Sequence, residues 1–348
     1  MARRSALGLL YVGAAAGCAE VALAYATSTG GLIADARWTL FWRIAAWWVL
    51  FAIGAGALLH APRRPALVLV LVFGVAMRLA GLAGHPVLSS DLYRYAWDGR
   101  VQAAGIDPYR YAPGEPQLVG LREHWLWPAP NRCLALSLDP GCTLINRRAV
   151  RTIYPPVAEL WFRGVYAVEG VGARDRGWQG AALVVDLAVL AVMLALLRGW
   201  RRDPRWLALY AWSPIAVLET AQNGHVDGLA VLLVLLALVA LRRRPGWAGS
   251  LLGAATLIKL YPALLMVLLV RRRAPAFLAA FVAFGTVVVI GYLPHVLAVG
   301  TKVLGYLPGY LREEMYTGGD RFQLIGLVGL SGTAATIAAA LVVVVVSE

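Results

Sequence analysis

Charge is scarce in this sequence. Only 15% of its 348 residues are Asp, Glu, Lys or Arg, while 60% are apolar and the mean hydropathy is +0.68. A water-soluble domain carries about 45–50% apolar residues, so a soluble globular fold is excluded. Other absences narrow the chemistry. His60, His85, His124, His225 and His295 are scattered, and no zinc-ligand cluster or serine-histidine-aspartate spacing is present. No dense carboxylate cluster, internal repeat or nucleic-acid module is found. The net charge of +13 would suggest a nucleic-acid partner on a soluble protein. Here the arginines gather at the ends of apolar runs, as the positive-inside bias of membrane proteins predicts.

What is present is a succession of apolar runs, several long enough to cross a bilayer as a helix. They fall at 7–26, 38–59, 66–83, 178–197, 206–220, 228–241, 276–298 and 324–346. Five basic clusters separate them: Arg3 and Arg4, Arg63 and Arg64, Arg198 to Arg205, Arg242 to Arg244, and Arg271 to Arg273. Placing all five in the cytoplasm puts the N-terminus inside and the segment from Gly84 to about Gly177 outside. Residues 156–170 are apolar but carry Glu159, Arg163 and Glu169, so they are read as an amphipathic helix in the outer interface. Residues 247–270 have basic residues at both ends and Pro262 near the middle, which predicts a re-entrant pair of short helices. The expected fold is all-α, with roughly ten transmembrane or re-entrant helices. Its divisions are 1–84, N-terminal helices; 85–177, an extracytoplasmic loop; and 178–348, a C-terminal bundle containing the re-entrant hairpin.

Ala22-Leu23-Ala24 mimics a signal cleavage site, but Glu20 interrupts the run before it, which favours a retained anchor. Cys18 lies in a span. Cys133 and Cys142 lie in the outer loop, where an oxidising compartment permits a disulfide; two free thiols are the alternative.

The loop opens with Ser89-Ser90-Asp91-Leu92-Tyr93-Arg94-Tyr95-Ala96-Trp97-Asp98. Ser90 suits a helix cap, and Gly105 and Pro108 end the helix. Asp91, Tyr95 and Asp98 then share one face, and Arg94 pairs with Asp98 at i,i+4. The plain reading is an interfacial helix with aromatic anchors. The functional reading is a carboxylate at the membrane surface that takes a proton from a hydroxyl.

A second constellation is the turn Glu219 to Gly228, with Glu219, His225 and Asp227 at the edge of hydrocarbon, where ionisable groups are expensive and often functional. It is otherwise a connector. Lys259, at the proline break, can neutralise a phosphate, or it can snorkel or pair with Asp186 or Glu219.

Three features together resemble the GT-C superfamily of integral-membrane glycosyltransferases. They are Asp91-Leu92-Tyr93-Arg94-Tyr95 opening the outer loop, Tyr154-Pro155-Pro156 heading the amphipathic helix, and Lys259-Leu260-Tyr261-Pro262 in a broken helix. Within it the pattern is most similar to the family 87 and related polyprenyl-phosphate-mannose-dependent mannosyltransferases of actinobacteria. Gly224-His225-Val226-Asp227 resembles the Gly-His-Asn-Asp turn of a related branch, with Val226 in place of asparagine. The resemblance covers about Gly84 to Pro262. Two spans precede the third, more than the superfamily's minimal module has.

The resemblance implies an inverting transfer outside the cytoplasmic membrane. The donor is a polyprenyl-phosphate sugar, mannose above all, and the acceptor a cell-envelope glycan or glycolipid. Asp91 is the implied base. Lys259, Arg94, Arg321 and His225 are implied partners of the leaving phosphate, with Tyr95, Asp98, Tyr154, Asp227 and Tyr261 completing the substrate site. Membrane lipids are partners; a nucleic acid, a metal and a separate cofactor are not expected. The competing class is a secondary transporter or lipid flippase, which also uses broken helices and intramembrane charges. A transporter keeps its site at the midplane and needs no outer segment of this size. A non-catalytic scaffold would not need Asp91.

Overall fold

The computed structural model describes residues 2–31, 33–135, 139, 141–170, 174–267, 274–313, 329–335 and 337–338. Among them there are helices and no strands. Three long helices open the chain: α1 (Ala2–Ser28), α2 (Ile33–His60) and α3 (Arg63–Gly81). The loop helix α4 (Asp91–Ala103) and α5 (Pro156–Glu169) follow. Then come α6 (Asp175–Gly199), α7 (Asp227–Ala240), α8 (Pro245–Thr256), α9 (Ala274–Val299) and the short α10 (Leu307–Glu313).

Five helices are long and apolar enough to cross a membrane, or up to six if one bent pair counts as a span. The expected count of roughly ten is therefore not reached among the described residues. One expected span, 206–220, is not a continuous helix. It breaks into Pro204–Leu207, Ala208–Ala211, Pro214–Val217 and Leu218–Gln222. Pro204 and Pro214 each remove a backbone donor and disfavour helix at the residue before. Pro214–Gln222 bends by 115° against α7, so the two make one broken span or a re-entrant loop. α7 alone is only 14 residues, about 21 Å. The cluster Arg271 to Arg273 and most of the expected span at 324–346 lie outside the described residues.

The expected hairpin at 247–270 takes the form of α8, a break at Leu257 to Leu260, and a 3-10 turn Tyr261–Met266. α8 packs so closely on α9 that a Cβ on Gly249 would stand 2.0 Å from the Ala280 carbonyl oxygen. Small residues permit such contact between helices in lipid.

The charged ends segregate. Arg63 pairs with Asp203 at 3.3 Å, and Arg205 donates to the Ala61 carbonyl. These join the α2–α3 corner to the segment after α6. At the opposite end Ile33 N–H donates to the Val87 carbonyl at 3.0 Å, and His85 pairs with Asp175 at the start of α6. Between the two ends, Arg78 of α3 and Asp186 of α6 form a fully buried ion pair. Tyr210 and Thr220 donate to the same carboxylate at 2.6 and 2.9 Å. Asp186 is thus not the partner of Lys259. A separate core, centred on α4 and α5, joins Leu92, Tyr95, Trp97, Phe162, Tyr166, Trp178 and Ile258. Cys133 and Cys142 are linked as a disulfide.

Candidate functional site

The site is built on the first turn of α4. Its N-terminus is closed by Ser89, whose hydroxyl oxygen accepts from the Asp91 N–H at 3.1 Å. Ser90 holds the cap position without a side-chain bond, so the capping serine is one residue earlier than expected. The chain leading in is held by two amides of the 219–228 turn. The Gln222 side chain accepts from Val87 N–H at 3.4 Å and donates to the His85 carbonyl at 2.6 Å. Asn223 accepts from Leu88 N–H at 3.2 Å. The turn closes through Gly224 at φ 67, where a Cβ would stand 2.6 Å from Leu92. Only glycine adopts that conformation there without strain or clash.

Asp91 faces a cavity of about 200 Å³. Both of its carboxylate oxygens accept hydrogen bonds: Oδ2 from the Tyr154 hydroxyl at 3.1 Å and Oδ1 from the Asn146 amide. Burial pushes the Tyr154 hydroxyl well above the ordinary tyrosine range, and the neighbouring Tyr95 and Asp91 reinforce this. Tyr154 therefore stays protonated and donates. Its ring is fixed edge-on to Tyr95 and Phe162, at centroid distances of 5.1 and 5.3 Å.

Arg94, Arg147, Arg151 and Lys259 line the same cavity. Each is tethered by a carboxylate: Arg94 by Asp98 at 2.9 Å, Arg147 by Glu313 at 2.9 Å, Arg151 by Glu115 at 3.8 Å and Lys259 by Asp227 at 3.3 Å. These pairs restrict the cations' rotamers without removing their positive field, the condition for preorganised stabilisation of an anion. Arg94 is buried, and its Nη2 has no protein partner. Lys259 Nζ also stands 5.6 Å from the Tyr154 ring centroid. Tyr306 and Tyr310 complete the lining.

Behind Arg94 lies a buried polar knot. Arg94 Nε reaches both Asp98 oxygens at 3.0 and 2.9 Å. Thr152 and Gln102 donate to the two Glu159 oxygens at 2.7 and 2.8 Å. Burial pushes both carboxyls up; Arg94 opposes this at Asp98, whereas the charge of Asp98 adds to it at Glu159.

The expected site residues thus divide. Asp91, Arg94, Tyr154 and Lys259 converge on the cavity, and Asp227 stands behind Lys259. His225 is not a lining residue; its Nδ1 is paired with Glu219. Tyr95, 1% exposed, is core packing stacked on Phe162, and Asp98 is the buried partner of Arg94. Tyr261 is 54% exposed and does not line the cavity. Arg321 lies outside the described residues. Asn146, Arg147, Arg151, Tyr306 and Tyr310 were not singled out from sequence. One signal pointed to the arginines: they sit in the segment expected to lie outside, where the positive-inside bias gives no reason for them.

The sequence model of glycosyltransferase family 87 matches residues 152–347. The match begins just before Tyr154 and takes in Asp227 and Lys259, but leaves out α4 and Asp91. No curated protein and no solved structure matches the chain. The apolar helices make this a membrane protein, and with more than half its length matched the chain belongs to glycosyltransferase family 87.

Proposed function

We propose that this glycosyltransferase moves a sugar, mannose, from a polyprenyl-phosphate donor to a hydroxyl of a cell-envelope glycan or glycolipid. The transfer takes place on the outer side of the cytoplasmic membrane and inverts the anomeric centre. The observation that carries the reading is one cavity in which a single carboxylate faces four cations. The acceptor oxygen attacks the anomeric carbon, and Asp91 takes its proton. The bond from that carbon to the phosphate oxygen breaks, and the phosphate leaves with the electron pair. Arg94, Arg147, Arg151 and Lys259 stabilise the charge that develops on it. Tyr154 and Asn146 aim the base. No cofactor enters the reading.

A lipid-linked donor also needs an apolar berth. Between α5, α6 and α7 lies a groove of about 640 Å³, lined by Val157, Leu160, Trp161, Val184 and Leu229 among others. Val157 is three residues from Tyr154, so a tail in this groove places its phosphate end near the cavity. The test is incubation of the purified protein with labelled polyprenyl-phosphate mannose and a panel of envelope lipids and glycans. Label transfer with inversion supports the reading. Transfer from a nucleotide sugar, with none from the lipid donor, overturns it.

A further inference from the structure

A second cationic cavity lies at the opposite ends of α6 and α7. Both helices begin near the catalytic cavity, α6 at Asp175 and α7 at Asp227. α6 is about 37 Å long and α7 about 21 Å, so this end lies a distance comparable to the hydrocarbon core from the catalytic cavity. There Gly199, Trp200, Arg201, Arg202 and Arg242 enclose about 500 Å³, within the usual range for a small-molecule site.

Helix C-termini attract arginine through the helix dipole. The dipole and the positive-inside bias together account for arginines at this end of the helices; what they do not require is that three of them line one cavity. Arg201, moreover, has φ 54. This left-handed residue closes the C-terminus of α6: Arg201 N–H donates to the Arg198 carbonyl at 3.0 Å and Arg202 N–H to the Leu197 carbonyl at 2.8 Å, which fixes both residues at the helix end. The nearest carboxylate in sequence is engaged elsewhere. Asp203 is gripped by Arg205 at 2.6 Å and by Arg63 at 3.3 Å, and the Arg205 hydrogen bonds hold its carboxyl down to about 2. The side chains of Arg201, Arg202 and Arg242 have no carboxylate partner among the described residues. Their surroundings are those of a membrane surface: Trp200 is 45% exposed beside them, and Val239, one turn before Arg242, is 54% exposed.

We infer that this cavity binds the phosphodiester headgroup of an anionic phospholipid in the leaflet opposite the catalytic cavity. The acyl chains run along the exposed apolar faces of α6 and α7. Three converging cations meet the phosphate, Trp200 sits at headgroup depth, and the apolar flank distinguishes a lipid from a free anion.

The test uses the full chain, purified in neutral detergent and stripped of lipid. It is titrated with phosphatidylglycerol and with phosphatidylcholine of the same acyl chains, with binding read by native mass spectrometry. The wild type should retain one phosphatidylglycerol in preference to phosphatidylcholine. Each arginine near an anionic headgroup contributes about a fivefold factor, so R201Q/R202Q/R242Q should weaken that binding on the order of 100-fold. If the triple variant does not fold, R242Q alone should show about a fivefold loss. Unchanged binding in the variant that folds overturns the proposal. So does an equal loss in R64Q/R198Q/R243Q, which removes the same charge outside the cavity. Inorganic phosphate that raises the thermal midpoint as much as phosphatidylglycerol does would assign the cavity to a free anion instead.

Discussion

The Tyr154 hydroxyl donates to Oδ2 of Asp91 at 3.1 Å, joining the head of α5 to the first turn of α4. The two residues are 63 positions apart in sequence. Removing the hydroxyl leaves the ring packed and the carboxylate free to turn. Tyr154→Phe should lower turnover about tenfold with little change in donor KM, because aim rather than affinity is lost. Hydrogen bonds to charged groups contribute about 1.5–3 kcal/mol to stability, and this half-buried one should fall near the lower end. Steady-state kinetics with a thermal melt separates the two effects. A rise in KM at constant turnover would make Tyr154 a binding residue instead.

Lys259 is held by Asp227, not by Asp186 or Glu219. A purely structural pair and a tethered phosphate ligand respond differently to mutation. Lys259→Met should raise the donor KM at least about tenfold, since a charge-assisted contact to phosphate is lost. Asp227→Asn keeps the cation and should cost only a few-fold. Equal losses in the two variants would assign the pair to folding.

The Glu159 carboxyl is raised by burial and by the charge of Asp98. The sign of its effect on stability follows directly. The folded chain binds more protons at Glu159 than the unfolded chain above about pH 4.5, so stability falls as pH rises through that window, up to the raised value. Glu159→Gln mimics the protonated acid and should flatten the pH dependence of the melt with little loss of stability. Asp98→Asn leaves Arg94 without its anion and should destabilise by about 3–5 kcal/mol. A steeper alkaline loss in Glu159→Gln would contradict this assignment.

How much of this was legible in the sequence depended on the range of each interaction. The Arg94–Asp98 pair follows from helical spacing alone and is present. The chain break at Leu257 to Leu260, just before Pro262, followed from proline chemistry. The 206–220 segment has the hydropathy of a span, but Pro214 breaks it at Ser213. Asn146 was invisible because its bond to Asp91 spans 55 positions, most of them loop between α4 and α5. Tyr306 and Tyr310 reach the cavity from beyond α9 for the same reason. Lys259 meets Asp227, while Asp186 and Glu219 are taken by Arg78 and His225.

Topology offers an independent check. Arg63 and Asp203 meet at one end, Gly224 and Leu92 at the other. Single cysteines at 63, 201 and 243 should resist an impermeant thiol reagent applied to intact cells, and a cysteine at the exposed position 117 should react. Labelling of position 201 from outside would reverse the orientation proposed for the catalytic cavity.

The central claim is that Asp91 accepts the proton. Asparagine at 91 keeps the shape and one acceptor oxygen, but it cannot take a proton at neutral pH. General-base catalysis contributes about 10²–10⁴ in rate. Single-turnover transfer from labelled polyprenyl-phosphate mannose by Asp91→Asn should therefore slow by that factor, with donor binding and monodispersity unchanged. Transfer at a near-normal rate in that variant would contradict the account.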